Sequence, residues 1–312
     1  MNVKDVITFG ANYRIEEAQN NYKKRYEEYE AFVEKYNLKN KEVEAIFQDL
    51  IDVKIKVQVE VKKIQKLPYI NANIIDRNDK QENIEKLNTD LEYIEKSLKV
   101  GDILIGSIKG SGTAVMAGAG AAPAALWLVT TFGTASTGTA ISTLSGTAAT
   151  NAALAVLGGG TIATGGGGMA AGTAFLATLG PIVGIGLGII AVPTFMHLTA
   201  NKKIKEIKEA EYKLCKEIKT IEENMLKLYL YEERSYELIN SCINGIKAFS
   251  FIYKKTMREI FPLGIISVFF KKLKMIITKS KNFYKDDELE KIRLLIKSAS
   301  DLLKIRDQPI IE

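Results

Sequence analysis

Only three side chains in the 312 residues combine nucleophilic character with soft metal ligation: His197, Cys215 and Cys242. The two cysteines stand 27 residues apart with no companion motif, which is neither a zinc pattern nor a disulfide framework. They read as small apolar helix residues in a reducing compartment. A single histidine leaves no multi-histidine metal site and no imidazole base for a Ser or Cys nucleophile beyond His197 itself. The glycine-rich stretches contain no lysine, so the Gly-Lys-Ser/Thr ending of a phosphate-binding loop is missing. No catalytic residue, cofactor or metal ligand is assigned, and an enzyme is the weakest functional class.

The more informative residues are the ones left out. From Gly110 to Asn201 there is no Asp, Glu, Lys or Arg in 92 residues, whereas 80 charged residues fall among the other 220. A water-exposed surface does not stay uncharged over such a length, so the block is either lipid-facing or buried. Its most apolar pieces are Thr113 to Gly133, with Trp127 as an interfacial anchor, and Ala171 to Leu198. Each is long enough to cross a hydrocarbon layer of about 30 Å. The block also holds 19 of the chain's 24 glycines, and each one in a water-exposed helix would cost about 1 kcal/mol relative to Ala. Their spacing suggests the compensation. Thr134, Gly138, Ser142, Gly146 and Thr150 form one row of small residues at every fourth position. Gly160, Thr164, Gly168 and Gly172 form a second, and Gly180, Gly184 and Gly188 a third. Such rows let helix backbones approach closely in lipid. The competing assignment for Gly158 to Gly160 and Gly165 to Gly168 is turns or a flexible linker.

A second candidate surface lies near the C-terminus. Between Lys254 and Lys285 there are nine basic residues and one acid, Glu259, so the rest of the chain is slightly acidic. Ile260 to Phe270 is apolar but too short to span, and Lys271, Lys272, Lys274, Lys279 and Lys281 follow it. A short apolar wedge beside cations suits anchoring on anionic lipid headgroups. The alternative is a helix docked on the bundle with a solvated lysine face. Nucleic acid is not an expected partner, because no recognition fold accompanies the charge.

Two long elements must carry these surfaces. One heptad position is apolar through Ile15, Tyr22, Tyr29, Tyr36, Val43, Leu50, Val57 and Ile64, predicting a helix from Asn12 to Leu67 that ends at Pro68. Val53 to Val61 alternates valine or isoleucine with polar residues, a strand-like pattern, but the continuing heptad favours helix. A polar helix follows at about Asp79 to Val100. A second arm begins near Asn201 with a seam through Ile207, Leu214, Ile221 and Leu228. The expected fold is all-α: an elongated antiparallel helical bundle or coiled coil with a Gly/Ala-rich transmembrane hairpin head. Antiparallel arms would place Tyr22 near Ile246 and put both ends of the block on one side of a membrane, giving two or four spans. The segments are 1–109, N-terminal coiled-coil helices; 110–201, the glycine-zipper membrane segment; 202–255, the second arm; and 256–312, the basic amphipathic element and terminal helix.

Phe132 to Gly172, FGTASTGTAISTLSGTAATNAALAVLGGGTIATGGGGMAAG, resembles the Gly/Ala/Thr-rich domain of bacterial glycine-zipper membrane proteins, somewhat like the apolipoprotein L group. The plan of long helix, hydrophobic head and long helix is similar in architecture to α-pore-forming toxins of the cytolysin A type, although the head here is much longer than theirs. The resemblance implies a soluble-to-membrane transition and pore formation. The expected function is therefore a membrane-inserting, permeabilising effector or toxin; the alternative is a membrane-anchored coiled-coil scaffold that recruits partners without a pore. Expected partners are a lipid bilayer, anionic in character, further copies of the chain within the membrane, and a protein on the arms. Met1 to Asn20 shows no conventional signal peptide, so a cytoplasmic or otherwise soluble form is expected before insertion.

Overall fold

The computed structural model describes residues 11–68, 81–111, 121–133, 135, 139, 141, 144, 146–179, 200–278, 283–308 and 310. Among these the regular structure is helical throughout: α1 (Ala11–Val61), α2 (Gln81–Ser111), α3 (Ala121–Phe132), α4 (Gly146–Leu157), α5 (Gly168–Thr178), α6 (Ala200–Ile260), α7 (Ile265–Thr278) and α8 (Asp286–Arg306). Short 3₁₀ turns occupy Lys62–Lys66 and Ile162–Thr164. The alternating stretch after Val53 is helix up to Val61.

The heptad seam of α1 is its buried stripe, with Tyr29, Tyr36, Val43, Leu50 and Val57 all inside. It packs on α6, whose own seam buries Ile207, Leu214, Ile221 and Leu228. The direction differs from expectation: the arms run parallel. Lys39 pairs with Glu232 at 2.5 Å and lies over the Tyr229 ring. Lys54 is within electrostatic reach of Cys242, and Lys63 and Glu60 of Tyr253. The offset between partners thus stays at about 190 residues from Lys39 to Lys63. Tyr22 accordingly shares a core with Ile207 and Leu214, not with Ile246. An apolar seam fixes which faces meet but not the polarity of the helices, and the connection between the arms is long enough to bring the chain back to its start. With parallel arms the two ends of the uncharged block no longer have to share one end of the coiled coil, and the even number of spans loses its basis.

The returning elements are α2 and α8. Lys291 of α8 pairs with Glu259 of α6 at 2.8 Å, and Leu302 packs over Gly245, so α8 runs antiparallel to α6. α2 follows α8 in the same direction, through Asp90 with Ser300 and Ser97 with Arg306. At their C-terminal ends the arms therefore join α2 and α8 in a four-helix core containing Val57, Leu98, Phe249, Ile292 and Leu303. Towards their N-termini the core changes composition, and the helices of the uncharged block take the place of α2 and α8.

Candidate functional site

Helices α3 to α5 lie against the middle of the arm pair. Leu128 and Val129 of α3, Leu157 of α4 and Phe175 of α5 share one buried core with Phe47 and Leu50 of α1 and Leu228 of α6. Two contacts define the docking. The Phe175 ring meets Tyr231 of α6 edge-on with centroids 4.6 Å apart, and the Asn40 amide donates to the carbonyl of Leu179 at 2.8 Å in a buried setting. The Asn40 Oδ1 at this contact, and the Tyr36 and Ser235 hydroxyls of the arms, are buried and find no hydrogen-bond partner among the described residues. Each such atom costs about 1–3 kcal/mol.

Within the head, α4 and α5 form a hairpin whose backbones touch. A Cβ at Gly172 would overlap the carbonyl oxygen of Leu154, and one at Gly158 would overlap that of Gly168. Glycine is required at both positions by contact, not by torsion. Gly172 thus sits at a close helix crossing, and its opposite number is Gly158, which the four-residue spacing did not single out. The second predicted row does not run along one helix. Gly160 lies in the turn after α4 with φ of 109°, Thr164 is in the 3₁₀ turn, and Gly168 opens α5 with φ of 61°. The glycine clusters around Gly159 and Gly165 make the reversal itself, as their turn-forming composition also allowed. Gly146 starts α4 and Thr150 is exposed on it; Trp127 lies on α3. Thr134, Gly138, Ser142, Gly180, Gly184 and Gly188 lie outside the described residues, as do Lys279 and Lys281. Both predicted spans also extend beyond the described residues, and among these no helix is long and apolar enough to cross a membrane.

The C-terminal residues close the seam between the head and the four-helix end. Ile310 is buried against the head, and Lys54 Nζ donates to the carbonyl of Gln308 at 3.1 Å beside Leu128 and Val129. Burial pushes the Lys54 ammonium down to about 8. Its folded pKa lies below that of an unfolded lysine, so the unfolded chain holds the proton more tightly between about pH 8 and 10.5. Stability should therefore rise with pH over that window, with the full penalty present below pH 8. The Cys242 thiol beside it, pushed up from an ordinary value of about 9 by burial, opposes this from about pH 9, and Tyr36, raised to about 12 by burial, opposes it above about pH 10. Lys54→Met should add about 2 kcal/mol at pH 7 and flatten the rise, as read by urea unfolding at pH 7, 8.5 and 9.5.

A second surface is α7. Its Val268 and Met275 pack on the four-helix core, but none of its residues is fully buried. Ile265, Ile266, Phe269, Phe270, Leu273, Ile276 and Ile277 are all exposed. The lysines expected to meet headgroups divide. Lys271 is turned inward, 2.5 Å from Glu288 and about 6 Å from the ring centres of Phe261, Phe283 and Tyr284, and is committed there. Lys272 and Lys274 are exposed. The helix thus docks by an edge and shows solvent its apolar face, an arrangement different from a docked helix with a solvated lysine face.

Among the described residues no three His, Cys, Asp or Glu side chains gather as a metal site. Cys242 is buried and its thiol is pushed up by that burial; Cys215 is half-buried. Comparison of the chain with protein-family models, with curated proteins and with solved structures finds no match. What the structure defines is an all-helical protein in which part of a long uncharged segment is folded onto a pair of parallel arms.

Proposed function

We propose that this protein is a membrane-permeabilising effector whose uncharged block leaves the arms and inserts in a bilayer as glycine-packed helices, with further copies of the chain completing the pore. The observation that carries this reading is the 92-residue block itself, free of Asp, Glu, Lys and Arg. A segment meant only as soluble core has no need to avoid charge along every outward-facing position. The docked head supports the same reading, since stowing apolar helices on the arms lets such a chain stay in water before it meets lipid. Close backbone contact at Gly158 and Gly172 suits a hairpin that must hold together in lipid, where the hydrophobic drive between helices is lost. At 12, 12 and 11 residues, α3, α4 and α5 are each about half the length needed to span, so insertion requires each to lengthen into the block on the side away from the hairpin turn. The full chain, added to vesicles loaded with a self-quenched dye, should release the dye. Failure to release it from vesicles of any lipid charge would overturn the proposal.

A further inference from the structure

The geometry points to α7 as an in-plane docking helix for the surface of an anionic bilayer. It extends the membrane reading of the head by naming where the soluble form first touches lipid, and of what charge. At about 100° per residue, the seven exposed apolar side chains from Ile265 to Ile277 fall within an arc of roughly 140°. Five of them are more exposed than 55%, with Ile265 at 88%, Phe269 at 61%, Phe270 at 57%, Ile276 at 73% and Ile277 at 71%. Lys272 borders this arc beyond Ile265, and Lys274 borders it beyond Phe270, both exposed. Lysines on both margins of an apolar face are placed for the stems to follow the acyl boundary while the ammonium groups stay at the headgroups.

The partner is chosen by charge. The segment from Lys254 to Lys285 has nine basic residues against one acid. Lys254, Lys255 and Arg258 are exposed on the last turns of α6, just ahead of α7. A neutral apolar groove on another protein would gain nothing from that surplus, whereas an anionic lipid surface attracts the exposed cations among these groups. At 14 residues α7 is about 21 Å long, too short to cross the bilayer, so it lies flat. The turn at Pro262, Leu263 and Gly264, with Gly264 at φ of 58°, separates α7 from α6 and leaves Leu263 exposed. Lys271, held by Glu288 and the aromatic rings, anchors the other edge to the bundle and so keeps the apolar arc outward.

The test measures co-sedimentation of the full chain with phosphatidylcholine vesicles, with and without phosphatidylglycerol. Wild type should bind the anionic vesicles about tenfold more tightly or better. Lys272→Glu with Lys274→Glu should remove that preference, and Phe269→Ser with Phe270→Ser should weaken binding to both vesicle types. The altered side chains are exposed, so helicity and thermal midpoint should stay unchanged, and Ile276→Ser provides a milder version of the apolar change. Equal binding to both vesicle types, undiminished binding by either double variant, or a lipid-free dimer that the phenylalanine variant abolishes would each overturn the inference. Because binding and dye release are read separately, vesicles that bind the protein without leaking would contradict the permeabilising role and leave the docking helix standing.

Discussion

Replacing Arg306 with Ala is expected to destabilise the four-helix end by about 3–5 kcal/mol, which is the largest single-residue effect the structure implies. Arg306 is 1% exposed at the last turn of α8, where its guanidinium reaches two other helices. It donates to the Gln58 side-chain oxygen of α1, to the carbonyl and hydroxyl of Ser97 on α2, and to the carboxylate of Asp307. Asp307 in turn accepts from Tyr93 and Ser97. Truncation to Ala would strip one partner from the partly buried Asp307 carboxylate and leave the buried Gln58 oxygen without its donor. Lysine should not rescue the variant, because a single ammonium cannot reproduce a planar fork aimed at four acceptors. Urea unfolding followed by circular dichroism measures the loss, and a decrease below about 1 kcal/mol would mean the network is not coupled as described.

The second large effect belongs to the head. Gly172→Val should separate α4 from α5, since any side chain there meets the Leu154 carbonyl, and the strain should amount to about 3 kcal/mol. The arms have a separate four-helix core and should keep their helicity. The head should instead become open to limited proteolysis between Gly146 and Leu179, while Thr150→Val, on an exposed position of α4, should leave it protected. Equal protection of both variants would show that the hairpin does not depend on the glycine contact.

Much of the helical plan was legible because a seam such as Tyr29, Tyr36 and Val43 depends on local periodicity alone. The direction of the arms was not, since nothing in an apolar stripe distinguishes parallel from antiparallel packing. A clue did exist in the odd alternation after Val53. Val53, Val57 and Val61 are buried as the apolar seam continues, while Lys54 and Gln58, one turn apart, are buried as well. They serve the end of α8, through Gln308 and Arg306, and so the helix carries polar side chains where a simple two-helix seam would be apolar. The strand-like alternation is not the burial pattern, since Val59 is exposed while Lys54 and Gln58 are buried against a second partner. Glycine spacing was similarly ambiguous: rows four apart and turns share the same residues, and only contact across the hairpin distinguishes Gly158 and Gly172 from Gly160. Lys271 could not be told from Lys272 and Lys274 by composition, because Glu288 arrives from a separate helix.

The claim that the stowed head must leave the arms to act is tested most directly by tying it down. In a background of Cys215→Ser and Cys242→Ala, cysteines at Phe175 and Tyr231, whose rings now touch, should be joined within one chain by a short bifunctional thiol reagent with a cleavable link. The joined protein should still bind anionic vesicles through α7 but release little dye, and cleavage of the link should restore release to the level of the unjoined variant. Dye release by the joined protein equal to that after cleavage would contradict the account, because it would show that permeabilisation does not require the head to leave the arms.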